Sequence, residues 1–342
     1  MRTSSHVLLL ANLAIASAFA PSFSSIHNSP SLLSTPATLA PTTSARYSSS
    51  SSSSSNDENS ESANDDVASL KNELLQKIAT LKQYQDEDGK IKVDFGVKGG
   101  ELDKKSRAPV KLDFYSVSER VGKTADSIFE SVQKLSKVNP TSKATEGMGD
   151  KTYDASKRPP LDGPWNLLFS TAADASFSKD SKRGDAKAGN IVDARAGKMT
   201  NVIKFAPNVD EETGEETPKA VDELRVKLAC TPEGDNRVNL VFKYVAVKFT
   251  RFFFLKFRWT LYIPVPGPTV ANIVIGISNF KKWLLRRKDQ PERKRPKAFF
   301  DVLFLDQDLR VHKTGEDNLF IQARPEWKAA WETMPSTTGA TA

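Results

Sequence analysis

The feature that most constrains this chain is a change of hydrophobic period at Pro159-Pro160. Beyond that point the period is two, the signature of half-buried strands. Trp165, Leu167, Phe169 and Thr171 alternate with Asn166, Leu168 and Ser170. Further strands are predicted over 199–205, 224–230 and 238–247; in the second, Leu224, Val226, Leu228 and Cys230 oppose Arg225, Lys227 and Ala229. Over 253–263 every odd position is apolar, and the even ones include Lys256, Arg258 and Thr260. Strands at 299–305, 309–312 and 319–323 follow, separated by the turn-forming stretches Asp306-Gln307-Asp308 and 314–317. Eight or nine antiparallel strands within roughly 160 residues make a sheet that tends to close on itself or split in two. The acidic stretch 207–223 reads as a solvated hairpin excursion within this pattern.

Upstream the period is 3.6. Apolar residues at 67, 70, 74, 78 and 81 predict an amphipathic helix over 67–84. A second is predicted from about Ser116, where Ser116 and Glu119 have capping-box spacing and Val121, Ala125, Ile128, Phe129, Val132 and Leu135 share one face. Asn139-Pro140 ends it. The Gly- and Lys-rich stretch 86–112 reads as a loop, the acidic stretch 56–66 as a disordered linker, 324–333 as a closing helix and 334–342 as a disordered tail. The expected organisation is a helical segment with loops over 67–158 and a barrel over 159–333.

Residues 1–18 have the pattern of a signal peptide, with Arg2, an apolar run and the small-residue site Ala16-Ser17-Ala18. Residues 19–55 are rich in Ser, Thr and Pro, have Arg46 as their only charge and end in eight consecutive serines. That composition fits a plastid transit peptide, and the stretch ASAFAP resembles the bipartite presequences of algae with secondary plastids. A plain secretory leader followed by a Ser-rich spacer is the alternative. The formal net charge is +7, and the single Cys230 excludes an intrachain disulfide framework and multi-cysteine metal sites.

Catalytic signatures are weak. Gly122-Lys123-Thr124 would end a phosphate loop, but Val117 stands where that loop needs glycine. No nucleophile elbow surrounds any serine; around Ser278 the second glycine is replaced by Phe280. His312 falls on a short strand and reads as structural. Asp301, Asp306 and Asp308 are the acid–base candidates, yet Asp306 and Asp308 flank a turn where aspartate satisfies local backbone N–H groups. No metal site or cofactor is expected.

The most unusual segment is 236–288, which holds eleven basic residues and no acidic one, with nine aromatics between 242 and 262. A single-stranded nucleic-acid groove would place aromatics and charges on one face. Over 253–263 Phe253, Phe257 and Trp259 instead alternate away from Lys256 and Arg258, as in a barrel with an apolar lumen and a basic exterior. Residues 269–285 fit an interfacial helix and, nearly as well, a β-branched strand. The cluster Lys281, Lys282, Arg286, Arg287 and Lys288 suits an anionic membrane surface, at about 1 kcal/mol per basic residue.

The run LDGPWNLLFST at 161–171 resembles the opening strand of the plastid-lipid-associated protein (PAP/fibrillin) family. Asn139-Pro140, GNIVDARAGKMTNVIKF at 189–205 and FFDVLFLDQDLRVHKTGEDNLFIQ at 299–322 are similar to its further signatures. Phe304 stands where the family usually has Tyr, and Lys313-Thr314 where Arg-Gly is common. The resemblance implies a lipocalin-like antiparallel barrel of about eight strands with N-terminal helices. It further implies that the barrel binds hydrophobic molecules, of prenylquinone, carotenoid or fatty acid class, at plastoglobules or thylakoid membranes without catalysis.

The expected ligand-binding set is Trp165, Phe169, Leu224, Val226, Leu228, Phe253, Leu255, Phe257 and Trp259 as the apolar lining, with Asp306 and Arg310. These last two are either polar groups near the cavity mouth or an ion pair bracing the hairpin. The expected partners are a hydrophobic small molecule and a plastid membrane or plastoglobule surface, with no nucleic acid. A carotenoid or oxylipin isomerase using Asp306 or Asp308 as acid is the alternative, and a plastid RNA-binding module a weaker one.

Overall fold

The computed structural model describes residues 57–91, 93, 109–175, 185–209, 213–217, 219–250, 257–265 and 298–334. The expected leader and transit segments, Phe253, Leu255, the stretch 269–285 and the basic cluster Lys281, Lys282, Arg286, Arg287 and Lys288 lie outside the described residues.

Helix α1 spans Asp57–Asp88 and so runs through most of the stretch expected to be a disordered linker. Its buried residues Leu74, Leu75, Ile78 and Leu81 continue the predicted periodicity. Helix α2 spans Glu119–Lys137 and buries Val121, Ala125, Ile128, Val132 and Leu135. Its cap is Ser118, whose Oγ accepts from the Val121 N–H, rather than Ser116. Ser116 sits in a preceding 3-10 turn and donates to the Asp113 carbonyl. The two helices are latched at their ends: Ser118 Oγ donates to Asp88 at 2.6 Å, and Arg120 bonds Asp88 and Glu87.

The strands are β1 (Gly163–Ser170), β2 (Ala186–Asp193), β3 (Lys198–Phe205), β4 (Asn208–Val209), β5 (Glu216–Thr217), β6 (Val221–Glu233), β7 (Arg237–Phe249), β8 (Trp259–Pro264), β9 (Ala298–Leu305), β10 (Leu309–Thr314) and β11 (Leu319–Ala323). A short helix α3, Lys328–Thr333, follows. The main sheet runs β6-β3-β2-β1-β11-β10-β9-β7 and closes through β6–β7, giving an antiparallel barrel of eight strands with β8 added on β7. The molecule is therefore mainly β, with a closed barrel and N-terminal helices. β4 and β5 form a separate small hairpin inside the expected acidic excursion. The β2–β3 turn requires Gly197: its φ is +59°, and a Cβ there would lie 2.9 Å from the Cys230 carbonyl oxygen.

Two apolar clusters share the barrel wall. One fills the interior with Trp165, Val192, Met199, Ile203, Leu224, Val226, Leu228, Val245 and Val302 among others. The second lies outside, where α1, α2 and α3 cover Leu168, Phe169, Phe304, Leu309, Val311, Leu319 and Ile321. A register shift between Leu167 and Phe169 sends Trp165 inward and Phe169 outward. Phe169 is thus not a lining residue; it stacks on Phe114 at 5.6 Å beneath the helices.

Candidate ligand site in the barrel interior

One end of the barrel is stoppered by the chain that links α2 to β1. Ala144, Met148 and Leu161 join the interior cluster. Thr145 bonds the Gly234 and Asp235 carbonyls in the β6–β7 turn, and the Gly149 N–H donates to Ala194 at 2.7 Å. The Trp165 indole donates to the Leu161 carbonyl at 2.9 Å. Asn139 fastens the helix exit to the barrel, its Oδ1 accepting from the Leu305 N–H at 2.9 Å. At the opposite end Ala186, Ala188, Val221, Phe249, Ile263 and Val265 pack on the interior cluster while staying partly exposed. Trp259 stacks on Phe249 there, with ring centroids 4.6 Å apart.

Leu224, Val226 and Leu228 face the interior as expected, and each is almost completely buried. Phe257 does not: it is 61% exposed, because β8 begins only at Trp259 and the alternation breaks before it. Asp306 and Arg310 are neither paired nor together at a mouth. Asp306 lies on the helix side, where Lys71 of α1 reaches both Asp306 and Asp308, at 2.7 and 2.8 Å. The other Asp306 oxygen accepts from the Asp308 and Leu309 N–H groups and so shapes the turn.

Arg310 points inward and is fully buried. Its Nε donates to Gln322 Oε1 at 3.0 Å, and Nη2 reaches both Gln322 and, at 2.6 Å, Asn190 Oδ1. The guanidinium lies 4.9 Å from the Trp165 ring centroid and 5.9 Å from that of Phe300. Arg324, bound to the carbonyls of Pro160, Asp162 and Pro164, also lies over Trp165, at 3.6 Å. No carboxylate among the described residues bonds Arg310. Burial, and after it Arg324, pulls its pKa down to about 9, which leaves it protonated at neutral pH.

The inward polar row continues along β10. His312 is buried between Phe300 and Phe320, with ring centroids 4.7 and 5.1 Å away. Burial, and after it the Arg310 charge, holds its pKa well below the ordinary histidine value, so the ring is neutral. Four buried atoms at inward-facing positions have no hydrogen-bond partner among the described residues: Asn201 Oδ1, Arg310 Nη1, His312 Nδ1 and Thr314 Oγ1. Buried polar atoms are normally paired, so such a group of atoms inside one barrel marks where water or a ligand supplies the missing partner. Cys230 is also inward, but burial raises its thiol to about 12, which makes it unreactive.

The sequence reading took His312 as structural and did not name Asn190, Asn201, Gln322 or Thr314, because apart from Asp306 and Arg310 it assigned apolar side chains to the interior. On β10 and β11 the rule inverts. Leu309, Val311, Leu319 and Ile321 are claimed by the helices, so Arg310, His312 and Gln322 turn inward. The available signal was the pair of amphipathic helices, whose apolar faces need an apolar outer surface to cover.

The PAP_fibrillin family model matches residues 117–323, more than half of the chain. No curated protein matches the chain. No solved structure matches it either.

Proposed function

The chain belongs to the PAP/fibrillin family, and on that premise we propose that it holds one small hydrophobic molecule inside its barrel as a plastid lipid-associated carrier or structural protein. The ligand is of prenylquinone, carotenoid or fatty acid class. The observation that supports this most is the interior itself: apolar side chains, one stoppered end, and polar atoms on Asn201, Arg310, His312 and Thr314 that have no partner among the described residues. Sites for small ligands combine these features, a mostly apolar surface with a few placed polar groups, and eight-stranded barrels are of a size to hold one such ligand.

The protein reaches a secondary plastid through its bipartite presequence and rests peripherally on plastoglobule or thylakoid surfaces, where the run Lys281, Lys282, Arg286, Arg287 and Lys288 meets anionic lipid. Its role is not catalytic. The isomerase reading loses its acid, since Asp306 and Asp308 are both occupied by Lys71 on the helix side of the barrel wall.

Solvent extraction of the purified protein followed by mass spectrometry tests the carrier reading. A stoichiometric hydrophobic compound is expected, and a protein that neither retains nor takes up prenylquinones, carotenoids or fatty acids overturns it.

A further inference from the structure

Resting on that carrier reading, we infer that the ligand has an anionic oxygen head, a carboxylate or a phosphate, and that Arg310 is its receptor deep in the barrel.

A fully buried guanidinium without a counter-charge is expensive, and a buried cation is ordinarily paired with a carboxylate. Here the described carboxylates near the barrel wall are engaged elsewhere: Asp306 and Asp308 by Lys71, Asp301 by Arg237, and Glu223 by Arg225 and Lys248. What Arg310 has instead is neutral, namely two carboxamide oxygens from Asn190 and Gln322 and the faces of Trp165 and Phe300. Cation–π contact and neutral acceptors keep the positive charge tolerable in the unliganded protein. They also leave Nη1 free, and a guanidinium with one nitrogen unfilled presents a donor suited to a carboxylate or phosphate oxygen.

The placement suits an amphiphile. Asn190 pairs in register with Trp165 and Asn201, toward the stoppered end, whereas the partly exposed apolar residues Ala186, Val221, Phe249 and Ile263 surround the other end. A head on Arg310 therefore sends its tail past Ile203, Leu224, Val226 and Val245 toward the exposed rim. A neutral quinone or carotenoid held against the same apolar side chains would leave Arg310 with no counter-charge among the described residues.

The test is a direct comparison on the full-length chain. Binding of cis-parinaric acid is measured by fluorescence against its methyl ester, and geranylgeranyl phosphate is measured by calorimetry against geranylgeraniol. The charged member of at least one pair is expected to bind about tenfold to hundredfold tighter, the range for a hydrogen bond to a charged group, and the preferred pair identifies the head as carboxylate or phosphate. In Arg310→Met that preference should vanish, and in Arg310→Lys it should return in part, with near-ultraviolet circular dichroism checking the Trp165 environment. Equal binding of charged and neutral members to the wild-type protein overturns the inference while leaving the carrier reading intact, and this arm needs no variant. Failure of all four probes, together with an empty lipid extract, overturns the carrier reading itself.

Discussion

Lys71 on α1 reaches across to Asp306 at 2.7 Å and ties the helical layer to the β9–β10 turn, although the two residues are 235 positions apart. The same ammonium bonds Asp308 and lies 4.6 Å from the Trp327 ring centroid, so one nearly buried cation gathers helix, hairpin and C-terminal segment. Lys71→Met should lower stability by about 2–3 kcal/mol in urea unfolding, the scale of hydrogen bonds to charged groups. The double change Asp306→Asn and Asp308→Asn should also destabilise the fold while leaving binding in the barrel unchanged. Normal stability with altered binding would contradict this assignment.

His312 makes stability depend on pH. Its folded-state pKa is depressed by burial and by Arg310, so below the unfolded value of about 6.5 the unfolded chain binds the extra proton. Stability therefore falls as pH drops through that window, by about 1.4 kcal/mol per pH unit, until other groups titrate. His312→Phe should flatten the slope between about pH 6.5 and 5. An unchanged slope in denaturant melts across that range would show that the ring is not held neutral.

Asp88 works in the same protonation sense, because its folded-state pKa is also depressed and the unfolded chain binds the extra proton, but at lower pH. Hydrogen bonds from Arg120 and then Ser118 lower its pKa to about 2. The latch between α1 and α2 is thus complete above the ordinary carboxylate pKa of about 4 and is lost as pH falls toward 2. Ser118→Ala removes both the α2 cap and one arm of this latch, and should cost about 1 kcal/mol. Thermal unfolding followed by circular dichroism should shift down by roughly 2–4 °C.

Gly197 tests the turn geometry. With φ at +59° and the Cys230 carbonyl in the way of a Cβ, Gly197→Ala should destabilise the β2–β3 hairpin by more than about 1 kcal/mol. Gly234→Ala, also at positive φ but with nothing within 4 Å of its Cβ, should cost less. Comparing the two in chemical denaturation separates steric from conformational cost.

Much of the architecture was legible in the order of residues. Alternation along 224–230 placed Leu224, Val226, Leu228 and Cys230 inside, and the 3.6-residue spacing of Val121, Ala125, Ile128, Val132 and Leu135 marked the buried face of α2. Both are local patterns, decided by backbone period and the aversion of apolar side chains to water. What alternation alone could not decide was which side of a strand is inside. Leu309 and Arg310 are neighbours on β10, both completely buried, and only the docking of α1 and α2 makes the leucine an outer residue and the arginine an inner one. A strand buried on both faces carries two environments, and their assignment depends on partners far away in the chain. For this protein the sequence determined a run of half-buried strands bound to close on itself or split in two, and the pairing of β6 with β7 closed it. The tertiary structure decided that its interior would contain Arg310, a positive charge with no carboxylate partner among the described residues, because the helices had already claimed the apolar face of β10 and β11.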